Sequence, residues 1–134
     1  MLLLSLLDTA TPIEKFLKGV VQVQNVKNTV LSTVQICILH DLYKATLLKD
    51  SGKLKSADVP LQHIQKKYDL ERYTVSRNAV MLSDSTLKDK GQKSGVREGR
   101  GFITIRDYKD SKDARTKSMV LTNKGRTVAQ LMFA

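Results

Sequence analysis

Ser76 and Arg77 stand side by side in the stretch "ERYTVSRNAVMLSD", residues 71–84. A guanidinium can chelate the O6 and N7 acceptors of a guanine edge or bind a phosphate, and a serine hydroxyl can donate to either. Val80, one turn on, has the size and polarity to touch a thymine methyl. Arg72, Tyr73 and Thr74 precede the pair and complete the candidate contact set. For these groups to share a surface the segment must be a helix from Glu71, with Val75, Ala79 and Leu82 at i, i+4 and i+7 on its buried face. That period turns Tyr73, Ser76, Arg77 and Val80 outward.

Just upstream, "ADVPLQHIQKKYDL" reads as a short helix: Asp58 as cap, Pro60 in the first turn, and Leu61, Ile64 and Tyr68 on one face. A tight break falls around Asp69 and Leu70. Two short helices across such a break predict a helix-turn-helix over residues 57–85. A plain helical hairpin with a solvated polar face fits the same spacing.

A second set of charged groups follows in "GFITIRDYKDSKDARTKSMVLTNKGR", residues 101–126. Phe102 to Ile105 and Met119 to Leu121 are β-prone runs, predicting a hairpin over 101–122. Its tip has few apolar groups and carries Lys109, Lys112, Arg115 and Lys117, placed to contact phosphates. A solvated mixed-charge loop is the plainer alternative. A helix-turn-helix followed by a charged hairpin is the order of a winged helix, in which the second helix enters the major groove and the hairpin reaches the flanking backbone or minor groove. Between the two, residues 86–100 interleave Gly91, Gly95 and Gly99 with Lys88, Lys90, Lys93, Arg97 and Arg100. This stretch reads as a mobile basic insertion, adding phosphate contacts or lying idle on the surface.

Charge supports an anionic partner. The chain has 23 Lys and Arg against 13 Asp and Glu, a formal +10, and the excess gathers after residue 50. A phosphate backbone and an anionic membrane both attract such a surface. The leucine run "MLLLSLLD" ends at Asp8, has no basic leader and is too short to span a bilayer, so no membrane partner is expected. Cys37 is the single cysteine, which excludes an intrachain disulfide and suits a reducing cytoplasm. Its position on an apolar helix reads as an inert buried thiol, with a redox sensor as the alternative. His40 and His63 are far apart in sequence and read as structural or surface groups, with no metal expected. "DSGKL" lacks the spacing of a phosphate-binding loop, "GVREGRG" does not match a dinucleotide fingerprint, and no nucleophile triad can be drawn from two such histidines. The expectation is no enzyme and no cofactor.

The elements that must carry these groups are mainly helical. In "TPIEKFLKGV", Thr11 caps, Pro12 takes the first helical position and Glu14 completes a capping box, with Ile13, Phe16, Leu17, Val20 and Val23 predicted on the buried face. In "LSTVQICILHDLYKATLL", one stripe runs Leu31, Val34, Ile38, Leu42 and Ala45 and another Ile36, Leu39, Tyr43 and Leu47, which predicts a central buried helix. A length of 134 residues suits one domain, mainly α with a small β-hairpin wing, in which residues 1–30 form an N-terminal helical segment for dimerisation or packing.

In "ERYTVSRNAVMLSD" and "DARTKSMVLTNKGR" the chain resembles the MarR group of winged-helix transcription regulators, in its recognition helix and in the return strand of its wing. The likeness follows element order over roughly residues 13–130. It implies a homodimer that binds double-stranded DNA. It also implies that Ser76 and Arg77 are the recognition-helix pair, Arg115 the wing arginine and Asp113 its companion acid. Thr122 would cap the next helix, a role its hydroxyl supports independently. Relatives often respond to a small-molecule effector, but no residues here identify a pocket for one. The connection before the wing is longer than the family's. The chain ends at Ala134, so the leucine-rich N-terminus and first helix are expected to carry more of the dimer. A different reading of the same fold is a protein-interaction or assembly module whose basic face meets an acidic protein.

Overall fold

The Oγ1 of Thr11 accepts the amide of Glu14 at 3.1 Å and Pro12 fills the first helical position, so the first helix starts where its capping residues dictate. A computed structural model describes residues 11–83, 86–88, 96–107 and 117–134, with 86–88 and 96–98 as backbone only. Its helices are α1 (Pro12–Lys27), α2 (Thr33–Asp50), α3 (Leu61–Tyr68), α4 (Arg72–Leu82) and α5 (Asn123–Phe133). Its strands are β1 (Val59–Pro60), β2 (Thr86–Lys88), β3 (Val96–Glu98), β4 (Ile103–Asp107) and β5 (Lys117–Leu121). The chain is mainly helical with a small three-stranded antiparallel sheet, β1-β5-β4, a composition compatible with a winged helix.

Helix α2 is central, as its two apolar stripes require. Ser32 and Gln35 form a reciprocal capping box at its start, and Ile38, Leu39 and Leu42 are fully buried. The second stripe runs out at its far end, where Leu47 is 46% exposed.

Helix α1 lies on α5 by part of the expected face, with Phe16, Val20 and Val23 packed on or buried in the core and the contact turned toward Gly19. Gly19 and Val23 are buried there, and Phe16 stacks on Phe133 with ring centroids 5.8 Å apart. Ile13 and Leu17, expected inside, are 70% and 52% exposed. The cause is Gly19: a Cβ at this position would run into the Leu131 carbonyl, so the missing side chain lets the two backbones meet along the Gly19 line. The rotation carries Ile13 and Leu17 out of the contact.

The expected Asp58 cap is also corrected. Val59 pairs with Met119 and Pro60 with Ser118, so the chain is still extended there, and α3 begins at Leu61 with Pro60 at its N-cap and no side-chain cap. Asp58 instead accepts from Arg106, whose Nε lies 3.1 Å away. The break between α3 and α4 falls where expected, on Asp69 in the left-handed region at φ 53°, with the Leu70 amide donating to the Gln65 carbonyl.

The hairpin of β4 and β5 is in register with Ile103 opposite Leu121 and Ile105 opposite Met119. Phe102, Ile103 and Met119 are buried beneath it. Thr122 caps α5 as expected, accepting the Gly125 amide at 3.0 Å while donating to the Gly101 carbonyl at 2.6 Å. The insertion expected to be mobile carries a β ladder near its ends: Thr86 opposite Glu98, Leu87 opposite Arg97 and Lys88 opposite Val96. Among the described residues no helix is long and apolar enough to cross a membrane.

Candidate nucleic-acid interface

Val75, Ala79 and Leu82 are fully buried, which fixes the rotation of α4 as the i, i+4, i+7 spacing dictates. Each large apolar side chain buried this way contributes about 1.5–3 kcal/mol, enough to make the rotation unambiguous. Tyr73 is therefore 70% exposed, Arg72 and Arg77 are exposed, and Thr74, Ser76 and Val80 are half-buried at the edges of the same face. Asn78 ties the helix to the start of α2: its Oδ1 accepts from Ser32 at 3.1 Å, and its Nδ2 donates to the Thr74 carbonyl at 2.8 Å.

The far end of α4 is held by the chain that leads into β4. The Arg100 amide donates to the Met81 carbonyl at 3.1 Å, and Gly101 to Ser83 at 2.9 Å. Phe102 then donates to the Leu82 carbonyl at 2.8 Å. Gly101 makes this turn at φ 75°, a conformation that favours glycine. Nothing in the hydropathy pattern signalled the stitch, although the Gly99-Arg100-Gly101 run marks a chain reversal. It places exposed Arg100 at the C-terminal end of α4, where the helix dipole favours a cation.

The arginines divide by place. Arg106 pairs with Asp58, and Arg126 with Asp50 at 2.6 Å. Arg72, Arg77 and Arg100 have no ion pair among the described residues, and all three lie on α4 or are stitched to its last turn. On the hairpin, Lys117 pairs with Asp107 directly opposite in the ladder. Lys109, Lys112, Asp113 and Arg115 lie outside the described residues. Of the expected contact set, the structure thus brings together Arg72, Tyr73, Thr74, Ser76, Arg77 and Val80, and binds Lys117 to an acid.

A second cluster was missed. His40 and His63, remote in sequence, meet at the carboxylate of Asp41, whose side chain is 3% exposed. His40 Nδ1 lies 3.0 Å from Oδ1 and His63 Nε2 3.3 Å from Oδ2. Lys67 donates to both oxygens at 3.0 Å and Tyr68 to Oδ1 at 2.8 Å. Burial pushes the Asp41 carboxyl up, but the donors Tyr68, His40 and Lys67 outweigh it and hold the group below the usual carboxylate range. Burial likewise raises the Tyr68 hydroxyl, helped by its bond to Asp41, and raises the Cys37 thiol. The available signal was Asp41 itself, an acid inside an apolar stripe that demands partners. The cluster clamps α3 to α2 and so fixes the base on which α4 rests. Beside it runs an open groove of about 310 Å³, walled by Ala45, Leu48, Leu54, Val59 and Pro60, with Lys44, His63 and Lys67 among its polar lining.

Compared with protein-family models, curated proteins and solved structures, the chain gives no significant match.

Proposed function

We propose that this protein is a winged helix-turn-helix transcription regulator that binds double-stranded DNA in a sequence-specific manner, in the manner of the MarR group, as a homodimer. In this reading α3 and α4 are the helix-turn-helix and α4 enters the major groove. There Arg77 and Ser76 read base edges, Val80 supplies an apolar contact, and Arg72, Tyr73 and Thr74 meet the flanking backbone. The β4–β5 hairpin is the wing, and its tip bases Lys109, Lys112 and Arg115 contact phosphates.

The observation that carries the reading is the division of the arginines. Among the described residues the guanidinium groups away from α4, those of Arg106 and Arg126, are matched to carboxylates, whereas Arg72, Arg77 and Arg100 are left without one. Arg72 adds a local inconsistency: a cation in the first turn of a helix opposes the dipole by about 0.3–1 kcal/mol, and the N-cap Glu71 is the acid at that end but makes no side-chain cap. A phosphate beside Arg72 would meet that charge. Such departures from local preference concentrate at functional sites.

The test is affinity for random-sequence duplex as a function of salt. A protein neutralising several phosphates loses affinity with a log–log slope of about −0.9 per phosphate. Selection from a random DNA pool should then return an inverted repeat, whose symmetry reports the dimer and whose half-site reports α4. Absent or salt-insensitive duplex binding would overturn the proposal in favour of a protein-assembly module.

A further inference from the structure

The turn that follows Arg100 is held from two sides. Toward α4, the amides of Arg100, Gly101 and Phe102 donate to the carbonyls of Met81, Ser83 and Leu82 at 3.1, 2.9 and 2.8 Å. Toward α5, Thr122 donates its hydroxyl to the Gly101 carbonyl at 2.6 Å and its amide to the Phe102 carbonyl at 3.0 Å. Gly125 makes room for that second carbonyl, since a Cβ there would strike the Phe102 oxygen. The main chain at Arg100 is thus as fixed as the last turn of α4, at the end of a stretch whose composition reads as mobile. Its side chain is exposed and has no ion pair among the described residues. The helix dipole accounts for a cation at this end, but a lysine on a loose loop would serve it equally. The dipole does not account for a guanidinium on a bolted backbone.

We infer that Arg100 is a phosphate anchor, held in place by α4 and the base of the hairpin together. Arg72 in the first turn of α4 and Arg100 at its last bracket Arg77. Arg72 and Met81 are nine residues apart, about 13 Å along the axis, and the major groove is about 12 Å wide. Cations at the two ends therefore stand about as far apart as the phosphate walls between which the bases lie. Contact orders only the Arg100 side chain, because the main chain was ordered on folding. The inference rests on the duplex reading of the preceding section and adds a contact outside both the helix-turn-helix and the hairpin tip.

The test is binding of the full chain to random duplex and to a selected operator as salt is varied. Arg100→Ala should lower the log–log slope by about 0.9 on both, which from a common 1 M reference is roughly eightfold in affinity at 0.1 M salt. Arg100→Lys should keep most of the slope, and Lys53→Ala, removing an exposed base beyond the far end of α2, should leave it nearly unchanged. Gly101→Ala keeps every charge but puts a Cβ at φ 75°, so it should loosen the stitch and lose nearly as much as Arg100→Ala. Gly101→Asn, which tolerates that conformation, should bind close to wild type. The double variant Arg100→Ala/Gly101→Ala should be no weaker than Arg100→Ala alone. If Gly101→Ala does not fold, Arg100→Ala against Lys53→Ala still decides. A steep wild-type slope left intact by Arg100→Ala overturns the anchor and spares the DNA reading. So does a loss confined to the selected operator, which would assign the side chain to a base. Equal losses from Arg100→Ala and Lys53→Ala, or a folded Gly101→Ala that binds as wild type, would reduce Arg100 to net charge and overturn the anchor too. A wild type that binds no duplex overturns both readings.

Discussion

Asp41→Asn is the sharpest test of how the helices are held. The substitution keeps shape and one acceptor oxygen, so Tyr68 can still donate, but it removes the charge that Lys67 meets at 3.0 Å on both carboxylate oxygens. Removing one partner of a wholly buried ion pair costs about 3–5 kcal/mol, because the survivor is stranded. Lys67 is 37% exposed and can turn to water, so the expected loss is nearer about 2 kcal/mol. For a domain whose whole stability is about 5–15 kcal/mol that is a large fraction, worth about 6–10 °C in Tm. The pH dependence carries the sign. The Asp41 carboxyl is depressed in the folded state, so its contribution is complete above the ordinary carboxylate pKa of about 3.9 and is lost as pH falls through the lower folded value. Urea unfolding should therefore separate wild type from variant at pH 7, and the gap should narrow progressively as pH falls below about 4. A gap under about 0.5 kcal/mol at pH 7, or one that does not shrink on acidification from pH 5 to about pH 2, would refute the idea that an ionised Asp41 clamps α3 to α2.

Other perturbations separate the remaining claims. Arg77→Ala should erase preference for a selected operator by about 1–3 kcal/mol, whereas Arg115→Ala should weaken binding to all duplexes and flatten the salt slope by about one; equal behaviour on every sequence would break that division. Gly19→Ala should lower Tm by several degrees in thermal unfolding, because its methyl meets the Leu131 carbonyl and lies close to the Met132 Cα, and an unchanged Tm would mean that α1 can slide on α5. Cys37, with its thiol raised by burial, should react with a thiol reagent at pH 8 more slowly than free cysteine, the rate still climbing above pH 9; fast labelling at pH 7 would point to a redox group.

The parts of this protein legible in its sequence are those fixed by near neighbours along the chain. Val75, Ala79 and Leu82 set the rotation of α4 by period alone, and Thr11 and Thr122 mark helix starts through bonds to amides three residues on. One misreading is local, since Glu14 does not return the bond that would complete a capping box with Thr11; the others involve groups brought together from a distance. Asp58 looked like a cap because only its local role is visible, but the strand pairing of Val59 with Met119 and the guanidinium of Arg106 claim it from far along the chain. His40 and His63 looked solitary because a polar cluster has no period; they converge only once α3 lies across α2 at Asp41. The rotation of α1 was misjudged for a related reason. Hydropathy gives glycine no weight, yet at a helix crossing the absence of a side chain at Gly19 outcompetes two apolar ones, because close backbone approach brings many contacts at once. That same choice pushes Ile13 and Leu17 outward, while Phe16, Val20 and Val23 keep their expected place in or against the core.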